Sequence, residues 1–136
     1  MIEYVNSKEK VEEANKALKP DLSPLLGKWK NTDKASGNIV NVNFTLEKDS
    51  VIMHAWGDNQ PELCKWGDAA CAVFTSGIDT QIVEGLEAQY EFGFKSTKIC
   101  GNVKLGILVL QVYNSFKDES GRLDYFSREF YHRVEN

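Results

Sequence analysis

The sequence predicts an all-β protein: an eight-stranded antiparallel up-and-down barrel over residues 25–136, preceded by a short helix and connector over residues 1–24. Three observations carry that reading. The stretch "NIVNVNFTLEKDSVIMHAWG", residues 38–57, alternates apolar and polar side chains with a period of two, the pattern of strands buried on one face. Turn residues then punctuate the chain at short intervals as far as residue 134. After Leu25 no helical periodicity returns, so the crossover helices that parallel strands require are missing. Eight short, consecutively connected strands close best as a barrel; a two-sheet sandwich is the second architecture that fits.

The elements follow in order. Residues 7–19 carry Val11, Ala14 and Leu18 at helical spacing. Asn6 or Ser7 can cap this helix, and Glu9 stands where a capping box places its acid. Lys16 and Lys19 suit the negative end of its dipole, Pro20 stops it, and "PDLSP" connects onward. A first strand spans 27–33. In the next hairpin Val40, Val42, Phe44 and Leu46 share one face, and Lys48-Asp49 forms a two-residue loop that lacks the usual glycine. That register sets Leu46 against Val51, Phe44 against Met53 and Val42 against Ala55. It sets Asn43 against His54 and Asn41 against Trp56 on the other face, where a one-residue slip would mix the two sets. Residues 69–76 and 78–84 read as one long strand bent at Gly77. Gly85 turns into a strand at 87–95 with Tyr90, Phe92 and Phe94 on one face. Strands at 97–103, 107–116 and 122–134 complete the set, with Gly106 near one turn and Gly121 suited to a left-handed position in another.

Composition narrows the function classes. The chain has 136 residues, 42% of them hydrophobic and 26% charged, with a formal net charge of −4, which describes one ordinary domain. An acidic balance without clustered Lys and Arg predicts no nucleic-acid partner, and no polybasic run points to an anionic membrane. The start "MIEYVNSKEKVEEANK" is charged where a leader would be apolar. No apolar run reaches the roughly 18 residues of a membrane helix. A cytoplasmic location is the expectation. Three cysteines, Cys64, Cys71 and Cys100, are an odd number, expected as free thiols rather than a disulfide framework.

"HAWGDNQPELCKWGDAA", residues 54–70, holds two Trp-Gly pairs ten residues apart. Cys64 and Cys71 lack metal-ligand spacing, and His54 and His132 stand far apart in sequence, so no metal is expected. A late-strand His132 is a poor basis for haem, and no glycine-rich phosphate cradle or nucleophile elbow appears; no cofactor is expected. The stretch reads as a barrel corner: "HAWG" ends one strand, Pro61 shapes a loop, "CKWG" begins the next, and the two Trp cap one barrel end, structurally or beside a ligand.

"LLGKWKNTD", residues 25–33, resembles the G-x-W signature that opens lipocalins and related calycin barrels. In that superfamily the Trp plugs the closed end and a late Arg packs over it, which makes Arg128 and Arg133 the candidates here. "WGDNQPELCKWG" is similar to a W-G-x-C-x-P-x-x-C-D-W-G motif of uncharacterised lipocalin-like proteins. It departs from that motif in lacking the first Cys, after Asp58, and in having Lys65 in place of the Asp before the Trp. The resemblance spans about residues 25–134 and implies a barrel fold, but no activity.

The leading expectation is therefore a barrel whose cavity binds a small, largely apolar molecule. Val42, Phe44, Met53, Ala55, Trp66, Tyr90, Phe92 and Phe94 are the candidate lining residues, since aromatic walls with few polar groups suit such cavities. A second reading is a cyclase or isomerase of a hydrophobic small molecule. It would use His54 with a carboxylate such as Asp58 or Glu62, or a cavity carboxylate, as its proton carrier. Against it stands the register that puts His54 on the outer face. A third reading is a structural or interaction module with a filled core.

Overall fold

The computed structural model describes residues 19–59 and 62–135; the expected helix over 7–19 lies outside them, apart from Lys19. Eight antiparallel strands follow one another: β1 Gly27–Asn31, β2 Ile39–Glu47, β3 Ser50–Asn59, β4 Glu62–Thr75, β5 Val83–Glu91, β6 Lys95–Lys104, β7 Ile107–Phe116 and β8 Tyr125–Arg133. Each pairs with its neighbour in sequence, and β8 returns to β1 through Trp29 opposite Arg133 and Asn31 opposite Tyr131, which closes the barrel. The sandwich is thereby set aside. No helix among the described residues is long and apolar enough to cross a membrane.

The β2–β3 hairpin has the register its alternation predicts: Val42 opposite Ala55, Phe44 opposite Met53, Leu46 opposite Val51, with Asn43 opposite His54 on the outer face. Lys48 takes φ 52° in its two-residue loop, the left-handed position that glycine would otherwise fill. At the β6–β7 turn Leu105 and Gly106 both have positive φ, 53° and 77°, as a type I′ turn requires. Gly121 is left-handed as expected, at φ 76°.

The structure corrects several boundaries. Residues 69–84 are not one strand bent at Gly77. β4 starts at Glu62 and stops at Thr75, and β5 starts at Val83. The intervening loop holds its own backbone: the Thr75 hydroxyl donates to the Gly77 carbonyl at 2.6 Å, and the Ile82 amide donates to Thr80 Oγ1 at 3.1 Å. β1 ends at Asn31, whose side-chain oxygen accepts from the Asp33 amide and turns the chain. The expected strand at 87–95 is displaced to Val83–Glu91, so Phe94 falls in the following turn and is 46% exposed. The β2 ladder is irregular between Ile39 and Asn41, so Ile39 rather than Val40 is fully buried.

Alternation sends one side of every strand inward. Val42, Phe44, Met53, Ala55, Ile99, Leu108 and Leu110 are each at most 1% open to a water-sized molecule; this part of the lumen is a packed core. The end where β1 begins is covered by the chain before it. Asp21 bridges to Ile82 in parallel, and a turn at 22–26 buries Leu25 beside Trp29. The opposite end, where β4 and β6 begin, is the mouth.

Candidate functional site

At the covered end, Trp29 is buried and its indole Nε1 donates to the Leu25 carbonyl at 2.9 Å. Arg133, its partner across the β1–β8 ladder, stacks over the ring with the guanidinium carbon 4.3 Å from the ring centre. The same guanidinium donates to the carbonyls of Leu26 and Pro24, the latter at 2.7 Å. Gly27 makes room for it. Its φ is 117°, and a Cβ there would stand 2.7 Å from an Arg133 nitrogen. Of the two candidate arginines, Arg128 instead lies over Phe130. These residues seal one end of the barrel.

The mouth is built differently. The β4–β5 ladder runs only from Ala72 opposite Glu87 to Thr75 opposite Val83, although β4 begins ten residues earlier. Beside Ala55, β4 carries a bulge at Trp66–Gly67, with Gly67 at φ 98°; such a bulge adds a residue and re-aims side chains. Trp66 turns over Gly57, where a Cβ would meet its indole nitrogen at 2.5 Å. Tyr90 spans the gap between the strands. Its hydroxyl is 2.9 Å from the Gly67 carbonyl and 3.2 Å from that of Met53, and donates to them. The bond to Gly67 satisfies a carbonyl in the part of β4 that has no β5 partner. Burial holds the Tyr90 phenol well above its ordinary pKa, with the Cys71 and Asp68 charges adding to it.

Trp66 meets Tyr90 and Phe92 edge to face at 5.7 and 5.4 Å, and Tyr90 stacks on Phe92 at 5.7 Å. With Cys64, Lys65, Phe94 and Lys95, Trp66 and Phe92 line an open recess of about 350 Å³. A larger groove of about 460 Å³ runs along the outer face past Lys28, Lys30, Asn41, Asn43 and Trp56, and lacks such an aromatic cluster.

No protein-family model matches the chain, and no curated protein or solved structure matches it.

The expected lining residues divide into three groups. Val42, Phe44, Met53 and Ala55 lie in the packed core, Trp66, Tyr90 and Phe92 gather at the mouth, and Phe94 stands on its rim. His54 faces outward. Its Nδ1 is 2.7 Å from Asp68 Oδ1, its Nε2 is 3.0 Å from Thr45 Oγ1, and Glu47 Oε2 lies 3.3 Å from the same nitrogen. A hydroxyl, an imidazole and a carboxylate in line resemble a nucleophile's array, but here they cross three neighbouring strands. The array clasps strands together.

Several polar residues that the sequence reading did not single out also point inward toward the mouth. Thr97 donates to Asn114 Oδ1 at 2.8 Å, both buried. Glu129 accepts from the side-chain amides of Asn31 and Asn38 at 3.0 and 2.9 Å. Ser127 Oγ is buried with no hydrogen-bond partner among the described residues. Lys95 shares the inward phase of Thr97, Ile99 and Val103 on β6. That alternation was readable once the strand is started at residue 95.

Proposed function

We propose that this chain is a lipocalin-like barrel that takes up a small, largely apolar molecule at its mouth rather than in a hollow lumen. One observation carries the reading: the aromatic cluster of Trp66, Tyr90 and Phe92 opens onto a recess where β4 and β5 part. Aromatic walls with a few placed polar groups suit an apolar ligand, and 350 Å³ lies at the small end of the usual range. The lipocalin likeness is supported by Gly27, Trp29 and Arg133 acting together at the covered end. The cyclase or isomerase reading has less behind it. His54 faces away from the lumen, and Glu129 is engaged by two amides that anchor the start of β2 and the end of β1.

The test is titration with N-phenyl-1-naphthylamine, an uncharged dye that fluoresces in apolar sites. Saturable binding by the wild type, weakened about tenfold or more in Trp66→Ala, is the expected result. A folded wild type that takes up no dye would refute the reading in favour of a filled structural barrel.

A further inference from the structure

Lys95 sits among the aromatic rings of the mouth, with no ionic partner among the described residues. Its ammonium lies 5.1 Å from the centre of the Trp66 ring, 5.4 Å from Phe92 and 5.9 Å from Phe94. Neighbouring charges pair elsewhere. Glu91, the nearest acid along the chain, takes Lys117 at 2.7 Å together with the hydroxyl of Ser96, and Asp118 takes Arg122 at 2.7 Å. Among the described residues no carboxylate lies within ion-pair distance of the Lys95 ammonium, and the ammonium donates no hydrogen bond. Arg122 adds positive charge nearby, over Phe94 and Phe116 at 5.6 and 4.2 Å.

Partial burial and the repulsion of Arg122 lower the pKa of Lys95 from its ordinary value. A half-buried cation with only ring faces for company keeps its donors unused, and ring faces replace water incompletely. An anion entering the recess would meet all three donors of the ammonium.

Resting on the reading of the mouth as a ligand site, we propose that its ligand is a small apolar acid: an apolar body seated on Trp66 and Phe92, with one singly charged acidic group paired to Lys95. A single charge is specified because Lys95 is the one lysine over the rings, Lys65 on the same recess is exposed to solvent, and the Arg122 fork is already held by Asp118 and Ser120.

Two dyes with one body separate the two proposals: N-phenyl-1-naphthylamine, uncharged, and 8-anilinonaphthalene-1-sulfonate, its monoanionic relative. The wild type is expected to bind the sulfonate about tenfold more tightly than the uncharged dye, the difference a charge-assisted hydrogen bond makes. K95M should erase that preference while still binding the uncharged dye, and K95R should keep it. K98M removes the same charge from an exposed lysine paired with Glu87, and should leave the preference intact. Equal binding of both dyes by the wild type, or a preference that survives in K95M, would overturn the acid proposal alone. Failure of both dyes to bind would overturn the mouth as a ligand site, and this inference with it.

Discussion

The guanidinium of Arg133 lies over the ring of Trp29, its carbon 4.3 Å from the ring centre, although 104 positions separate them in the chain. The contact joins first strand to last at the seam that closes the barrel, and the same arginine holds the carbonyls of the covering turn. Trp29→Ala should therefore cost about 3–5 kcal/mol, as large aromatic truncations do. Arg133→Lys should lose the stacked plane and the paired donors together. Urea unfolding measures both, and a loss below about 1 kcal/mol for Trp29→Ala would contradict the plug.

Ala55 is fully buried in the packed part of the lumen. Ala55→Trp is expected to overpack it and destabilise by about 1–3 kcal/mol or more. If thermal unfolding of the variant matched the wild type, the lumen would hold free space.

Gly57 supports the Trp66 indole by having no side chain. Gly57→Ala should push the indole out of the mouth and weaken dye uptake, with smaller effects in the covered half. Trp fluorescence and dye titration together report it. A variant with unchanged emission and unchanged uptake would count against the placement of Trp66.

The three thiols are free and differ in environment. Cys64 is exposed, whereas burial pushes the Cys71 thiol up from 9.0 to about 11. Cys64 should react rapidly with a thiol reagent near neutral pH and Cys71 slowly. Because the folded value is raised, Cys71 favours the folded state fully below about pH 9, and that contribution fades as pH climbs toward 11. Cys71→Ser should flatten this part of the stability profile; a profile unchanged by the substitution would exclude Cys71 as its source.

Leu105 is 94% exposed and holds a left-handed backbone in a two-residue turn. Leu105→Asn suits the type I′ turn better and should raise stability by about 0.5–1 kcal/mol. A lower denaturation midpoint would argue against this turn geometry.

The β2–β3 hairpin was legible because β2 alternates without a break from Asn41 to Glu47, so one register alone keeps Asn41, Asn43 and His54 out of the core. The G-x-W start was legible for a similar reason, since Gly27 and Trp29 have jobs that few other residues can do. The loop at 76–82 was not, because "SGIDTQI" keeps enough β-branched residues to pass as strand, whereas the hydroxyls of Thr75 and Thr80 bond to backbone and turn the chain. That error moved the next strand by four residues at each end and placed Phe94 on an inward row. Lys95 was missed in consequence: in a strand ending at 95 it is a terminal surface lysine, and in one beginning there it is the first inward residue. The bulge at Trp66 cannot be read from alternation, because a bulge is where alternation fails.

Among the described residues, the early end of the β4–β5 ladder leaves the first part of β4, with exposed Leu63 and Cys64, without a strand partner on the β5 side. An uncovered strand edge is a template on which a strand from another molecule can align and start aggregation. The charges of Lys65 and Asp68 and the bulge between them are devices that blunt a naked edge. The bulge that aims Trp66 thus also interrupts that edge. Replacing Lys65 and Asp68 by Val should make heated samples scatter light sooner than the wild type, whatever the mouth binds.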